Sequence, residues 1–443
     1  MIFKRMREQI LDKAIRGQLV PQLQEEGVVE QIGDAPTEVP FELPASWKWG
    51  TLTSICSLIT DGTHNSPKNS TTKDSVYKNL YITAKNIKDY GIDLSKPTYV
   101  NDKDHAEITK RCFPCFGDIL FVKDGATTGV VTSNNLSEPF SMLSSVALIR
   151  TIPSFMDGKF LIYVLRSPHI STFIRTKMKG TGITRVTLNI LKSIPIPIPP
   201  LAEQKRIAAK LESLLGEISR AEKAYEELQS LANVLRGQIL QKAIQGKLVP
   251  QLAEDGVVNQ IGDAPAEVPF DIPDSWKWLT LEAIGFWKAG ATPSRSVKEY
   301  YENGTIPWLK TGDLTDGIIS TVEEQITQDA LDSCTAHINP KGSVLIAMYG
   351  ATIGKLGVLD IDCATNQACC ACQVNSSLIY NWYLFYYLMS QRANFIAQGA
   401  GGAQTNISKT KITVYPIPIP PLAEQKRIVA KVDTLFEQID LMT

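Results

Sequence analysis

Glu203-Gln204-Lys205 and Glu424-Gln425-Lys426 are the residues of this chain whose types and spacing come nearest to catalysis, since an acid two positions before a lysine is half of a nuclease ExK site. A metal site needs a further acid. None lies between Gly158 and Ala202 to complete the first copy, so both triplets are expected to be charge on a helix surface. Cys112 and Cys115 form one CxxC, while Cys363, Cys369, Cys370 and Cys372 crowd a second region. Neither region has the second CxxC of a zinc finger or ribbon, so reduced, buried thiols are expected and no metal. The four histidines are scattered, and no Ser/His/Asp set follows from spacing. Transfer of a methyl group to a base amine would call for Asn or Asp, two prolines and an aromatic, with a glycine-rich cofactor loop. Pro199-Pro200-Leu201 lacks both the amide before it and the aromatic after it, and the Walker signature is absent too. The expectation is a chain with no catalytic residue, no metal and no cofactor of its own.

What remains is recognition chemistry. Arg and Lys suit phosphates and guanine edges, and Asn and Gln suit adenine edges. The polar and basic side chains near turns are therefore the candidate contacts with nucleic acid. Between residues 50 and 193 they are Thr63, His64, Lys68, Lys85, Asn86, Lys123, Thr127, Arg175, Lys177, Lys179 and Arg185. Between 279 and 414 they are Thr292, Ser294, Arg295, Lys310, Thr311, Lys355, Asn366, Gln367, Gln404, Asn406 and Lys409. The clusters Arg175 to Lys179 and Ser294 to Lys298 carry more weight than their single members. The formal net charge of −1 hides an asymmetry: the first block has 18 Lys/Arg against 11 Asp/Glu, the second 9 against 11. Phosphate contact fits the first block better than the second.

The elements that must position these residues are repeated. Arg7 to Trp49 recurs as Arg236 to Trp278 with 32 of 43 positions identical, and PIPIPPLAEQKRI occurs unchanged at Pro195 to Ile207 and Pro416 to Ile428. Alternating prolines enforce an extended segment, after which a long helix is expected from Leu201 to near Gly246, with Pro250 just beyond. Its apolar residues recur in steps of four and three: Ile207, Leu211, Leu214, Ile218, Ala221, Tyr225, Leu228, Ala232, Leu235 and Ile239. That is a coiled-coil seam on a rod about 60 Å long. Ile428, Val432, Leu435 and Ile439 repeat its first half, and Met1 to Ile15 matches Ser230 to Ile244. If the two chain ends abut, they rebuild a second rod about seven residues short, antiparallel to the first. FELPASWKW and FDIPDSWKW place paired tryptophans where packing between rod and globule is expected.

At 443 residues the chain holds several domains, expected at 1–49 (helical repeat and linker), 50–193 (first variable globule), 194–278 (proline-rich segment, long helix and linker), 279–414 (second globule) and 415–443 (terminal helical repeat). The two globules share a plan. Gly117-Asp-Ile-Leu-Phe-Val-Lys-Asp-Gly-Ala-Thr corresponds to Gly342-Ser-Val-Leu-Ile-Ala-Met-Tyr-Gly-Ala-Thr, and Ala84-Lys-Asn-Ile to Thr311-Gly-Asp-Leu. No apolar run approaches a membrane span and the N-terminus is not a signal peptide, so a cytoplasmic protein is expected.

With two PIPIPPLAEQKRI copies, two WKW segments, DGTHNSP, and GATPSRS followed by IPWLKTGDL, the chain resembles the specificity subunits of type I restriction-modification systems over essentially its whole length. The resemblance implies an α+β chain: two homologous mixed α/β target recognition domains separated by two long antiparallel coiled-coil helices in a pseudo-two-fold, circular arrangement. It implies that each domain reads one half of a bipartite, asymmetric target in double-stranded DNA. It also implies that the repeats dock two modification subunits and that restriction subunits join the complex. Adenine-N6 methylation from S-adenosylmethionine would belong to the modification subunits, which extrude the base, and ATP and Mg to the restriction subunits. A rod of ~60 Å matches ~18 base pairs. The alternative is a structural adaptor that bridges two copies of one partner without touching DNA.

Overall fold

The computed structural model describes residues 1–177, 185–399 and 406–443. Expected contacts Lys179 and Gln404 lie outside the described residues. The chain divides into two compact units, Met1–Ala224 and Tyr225–Thr443.

In the first unit a four-stranded antiparallel sheet takes the order Cys56–Asp61, Val146–Thr151, Ile119–Val122, Val131–Ser133. The segment Ile-Leu-Phe-Val has no polar position because it is buried on both faces. Ile119 and Phe121 join a core with Phe160, Leu161 and Leu211, while Leu120 and Val122 join another with Phe140 and Met142. A smaller three-stranded sheet pairs Asn79–Ile82 antiparallel to Tyr99–Val100 and parallel to Ser141–Met142.

The second unit repeats this plan with different residues. Gly285–Ala289, Cys369–Val374, Val344–Ala347 and Leu356–Leu359 follow one another in a sheet to which Gly317–Ile319 adds a fifth strand. Val344 and Ile346 pack on one side and Leu345 and Ala347 on the other. Ile306–Leu309 again pairs antiparallel to Gln325–Ile326 and parallel to Cys363–Thr365. The turns expected to correspond do so as 3-10 turns, Ala84–Asn86 and Thr311–Asp313.

The repeats supply the mount. Pro195–Ile198 pairs antiparallel with Lys48–Thr51, and Pro416–Ile419 with Lys277–Thr280. The proline strands then enter helices, Leu201–Ile244 of 44 residues and Leu422–Asp440 of 19. Gly246 ends the long helix at φ +67°, and Gly17 ends the helix Ile2–Ile15 at φ +71°. A Cβ there would lie 2.5 Å from Pro273 Cγ and 2.4 Å from Pro44 Cγ respectively, so both positions need glycine twice over.

The LAEQKR triplets depart from expectation. Glu203 and Gln204 are 1% and 0% exposed and Glu424 and Gln425 likewise, so they are internal clamps rather than surface charge. Glu203 accepts from Trp47 Nε1 at 3.0 Å and Gln22 Nε2 at 2.6 Å, and Glu424 accepts from Trp276 Nε1 at 3.0 Å and Gln251 Nε2 at 2.9 Å. Gln204 donates to the Phe155 and Pro199 carbonyls and accepts from Asp157 N; Gln425 does the same with Leu378, Pro420 and Tyr380. Arg206 pairs with Glu26 and Arg427 with Asp255, whose carboxyl the guanidinium holds below the ordinary range. The identity of the two repeats is thus the identity of a bonding set, which locks linker, globule and helix together. Trp47 and Trp276 pack where expected, in cores shared with Ile15 and Phe160 and with Ile244 and Tyr383, while Trp49 and Trp278 meet Phe41 and Phe270 of their own segments at 5.0 Å.

Within the first unit the helix Ile2–Ile15 runs antiparallel to the long helix: Arg7 bonds Glu222 at 2.6 Å, and further along the chain Gln22 reaches Glu203. Within the second, Arg236 bonds Asp440 and Gln251 bonds Glu424, again antiparallel. The seam is buried at Ile207, Leu211, Ile218, Ala232, Ile239, Ile428, Val432 and Ile439. Leu214 and Leu435 are half-buried. An unbroken buried seam is not what forms: Tyr225, Leu228 and Leu235 are 46%, 39% and 44% exposed. These positions lie on the stretch of the long helix between Glu222 and Arg236, along which Gln229 Nε2 donates to the Thr443 carbonyl at 3.3 Å.

Among the described residues no helix is long and apolar enough to cross a membrane. The cysteines are free thiols, five buried and Cys56, Cys115 and Cys334 half-buried. Burial pushes the Cys112 and Cys363 thiols up to about 12.

Candidate nucleic-acid interface

In each unit four backbone segments converge at one end of the main sheet, and the same main-chain bonds fix them. The first strand ends in Asp61-Gly62-Thr63-His64 or Ala289-Gly290-Ala291-Thr292; Thr63 N donates to Met142 O at 2.8 Å and Ala291 N to Thr365 O at 3.0 Å. The approach is so close that a Cβ on Gly62 would lie 2.0 Å from Met142 O, and one on Gly290 1.9 Å from Thr365 O. The central strand ends in Lys123-Asp124 or Met348-Tyr349, with Lys123 N donating to Ser145 O and Met348 N to Ala368 O, both at 2.8 Å. The fourth segment crosses it: Val186 N reaches Lys123 O and Ile407 N reaches Met348 O, both at 2.9 Å. Isolated bridges Asp124–Arg185 and Tyr349–Asn406 complete the match. Thr187 and Ser408 then cap the short helices Leu188–Lys192 and Lys409–Thr413.

On this common frame the side chains differ in kind. In the first unit Asp61, His64, Lys123, Asp124, Ser144 and Arg185 line a cleft of about 290 Å³. Asp61 is 1% exposed and gathers three cationic or basic groups: Lys123 Nζ at 2.6 Å, Arg111 at 2.8 Å and His64 Nε2 at 3.4 Å. Arg185 Nε bonds Asp124 at 3.1 Å. In the second unit the same places hold Ala289, Thr292, Met348, Tyr349, Gln367 and Asn406, none of them charged. Thr292 Oγ1 donates to Gln367 Oε1.

Two expected contacts of the first unit face inward. Lys123 is 4% exposed and spent on Asp61, and Asn86 is 3% exposed, its amide donating to Asp93 O and accepting from Thr83 N; both support the fold instead of offering themselves to a partner. Lys68, Lys85 and Thr127 are exposed, as are Arg175 and Lys177 on the last turn of the helix Pro168–Lys177. Arg175 lines a separate cleft of about 560 Å³ with Arg7 and Arg166, and Lys177 pairs with Glu38 at 3.5 Å.

In the second unit Arg295 lies over the rings of Tyr301 at 4.3 Å and Trp308 at 4.9 Å, and both its terminal amino groups bond Glu324. Lys310 bonds the same carboxylate at 2.8 Å, which holds both cations' pKa up while Arg295 and Lys310 hold that of Glu324 down. Ser294 and Lys409 are exposed, and Thr311, Lys355 and Asn366 half-buried. Residue types alone missed Asp61, Arg111, Asp124 and Tyr349. The first and third are acids, which a search for phosphate-binding groups passes over, although the alignment of DGTH with AGAT marks Asp61 as a position of contrast. Among the described residues no group of His, Cys, Asp and Glu is placed to hold a metal ion.

The model of the type I restriction modification DNA specificity domain matches residues 44–229 and 273–443, and the chain belongs to that family. It is 23% identical to the type I restriction enzyme EcoAI specificity subunit of Escherichia coli across 98% of this chain and 89% of that one. It is 25% identical to a putative type I restriction enzyme MjaX specificity subunit of Methanocaldococcus jannaschii over 90% of this chain and 89% of the other. Two solved structures share the fold. One, from work on assembly and conformational transition of the type I R-M system, has a TM-score of 0.70 at 23% identity and covers 91% of this chain and 93% of its own. The other, the HsdS subunit of Thermoanaerobacter tengcongensis, has a TM-score of 0.57 at 24% identity with coverage of 91% and 93%. The role is DNA recognition, as a specificity subunit, and the adaptor alternative is set aside.

Proposed function

We propose that each unit reads one half of a split, asymmetric DNA target through its four converging segments, and that the repeated helices dock two modification subunits. The observation that carries this reading is one main-chain frame presenting two different side-chain sets, each mounted on the same repeat clamp. One partner type bound twice calls for identical mounts, and two half-targets call for unlike readers. Lys68, Lys85, Arg175 and Lys177 on the first unit and Ser294, Lys355 and Lys409 on the second are the proposed outer contacts. We assign catalysis to the partners: S-adenosylmethionine to the modification subunits, ATP and Mg to restriction subunits, in the cytoplasm. The domain limits proposed are 50–193 and 279–414.

The test is methylation mapping by single-molecule sequencing in a host that expresses this chain with its modification subunit. A split motif with modified adenines on opposite strands is expected, and replacing residues 50–193 by another such block should change one half only. A stable complex with no methylated motif would overturn the reading.

A further inference from the structure

We propose that Arg185 and Asn406 each set one base of the target, Arg185 a guanine in the half read by the first unit and Asn406 an adenine in the other. This rests on the DNA-reading role proposed above. The two residues hold the same place: each precedes the residue whose N–H bonds the end of the central strand, and each forms an isolated bridge to the residue after it. Both are exposed.

The geometry around Arg185 separates base reading from phosphate contact. Its bond to Asp124 uses Nε, so the two terminal amino groups are the part left for a ligand, and that pair matches guanine O6 and N7. Asp124 is 15% exposed on its side chain and cancels the guanidinium charge, which weakens any attraction to phosphate while it fixes the plane of the fork. A phosphate contact gains nothing from such a carboxylate; a base reader gains its orientation. Arg295 is the counterexample, since Glu324 already takes both of its terminal amino groups. In the second unit the equivalent residue is an amide, whose donor and acceptor match adenine N6 and N7. The tyrosine that replaces Asp124 fits this substitution, because Asn406 has no charge for a carboxylate to orient.

The full chain is assembled with its modification subunit and used to select from a pool of randomised DNA duplexes. Wild type should enrich a split motif with a guanine in one half and an adenine in the other. Arg185→Gln should relax the guanine position by on the order of 10- to 100-fold and leave the other half unchanged, and Asn406→Ala should do the converse. Asp124→Asn keeps the arginine but frees it, so it should relax the same guanine position less and make binding more sensitive to salt. If Arg185→Gln fails to assemble, Asp124→Asn and Asn406→Ala decide the matter. A wild-type motif whose positions ignore all three variants, or a uniform loss across every sequence from Arg185→Gln, overturns the proposal. Absence of any motif from the wild-type complex overturns the DNA-reading role instead.

Discussion

The first unit buries a lysine–aspartate pair where the second has a buried methionine and a half-buried alanine, yet the surrounding main-chain bonds agree to within 0.2 Å. The frame therefore does not depend on the charge. It comes from strand ends and a glycine, so the positions between those bonds can change chemistry without changing shape. An ion pair taken out of water gains little over apolar residues of similar volume, while a lone buried charge is costly. Lys123→Met alone, which leaves Asp61 with only its exposed partners, should cost the first unit about 3 to 5 kcal/mol. Joined with Asp61→Ala, which copies the second unit, the loss should shrink to within about 1 kcal/mol. Denaturant unfolding of the two variants settles this; equal losses would mean that the charged pair holds the frame after all.

The frame's own requirement is shared. Gly62→Ala and Gly290→Ala each push a methyl group into a carbonyl oxygen, and each should cost about 3 kcal/mol in its unit. A large loss in one and none in the other would show that the two clefts are less alike than their bonds. The repeat clamp allows a gentler comparison of the same kind. Gln204 and Gln425 each make three bonds to equivalent partners, so Gln204→Ala and Gln425→Ala should each destabilise by about 2 kcal/mol, through buried groups left unpaired. Unequal midpoints in urea for these two variants would break the equivalence.

The repeat, the long helix and its glycine stop were legible in the sequence because each follows from local chemistry: proline spacing, a steady apolar step, a positive φ. The strand Ile119–Val122 and its counterpart Val344–Ala347 were legible as apolar runs before glycine turns. Glu203 and Gln204 were misread because their burial depends on distant partners, Trp47 and Gln22 for Glu203 and Phe155 and Asp157 for Gln204, which no local pattern reveals. The exposure of Tyr225, Leu228 and Leu235 was not legible for the opposite reason: an unbroken local pattern names the apolar face of a helix but not which of its positions are buried within the chain. His64 and Arg185, named by residue type, do line the cleft, but Lys123 looks the same in sequence whether it faces outward or Asp61. Only the bridge between Asp124 and Arg185 shows which cation is oriented and which is spent.

The smallest effect concerns the edge of the lesser sheet, where the two units again differ on a common bond. Tyr81 N donates to Thr98 O at 2.8 Å, and Trp308 N to Glu324 O at 2.9 Å, so a threonine and a glutamate occupy one position. The Thr98 hydroxyl turns inward to Tyr81 O and does not titrate near neutrality. Glu324 faces Arg295 and Lys310, and bonds to Arg295 first and Lys310 second hold its carboxyl below the ordinary value of 4.5. A lowered acid stabilises the folded unit fully above that value and loses the contribution as pH falls through the folded-state pKa. The second unit should therefore weaken from about pH 4.5 downward through this group, and Glu324→Gln should remove that component of the acid sensitivity. Because Arg295 and Lys310 are largely open to water, the difference at neutral pH should stay below about 1 kcal/mol. Urea midpoints of the two proteins between pH 6 and 3 would test it: parallel curves would remove Glu324 from the account, and convergence on acidification is the expected outcome.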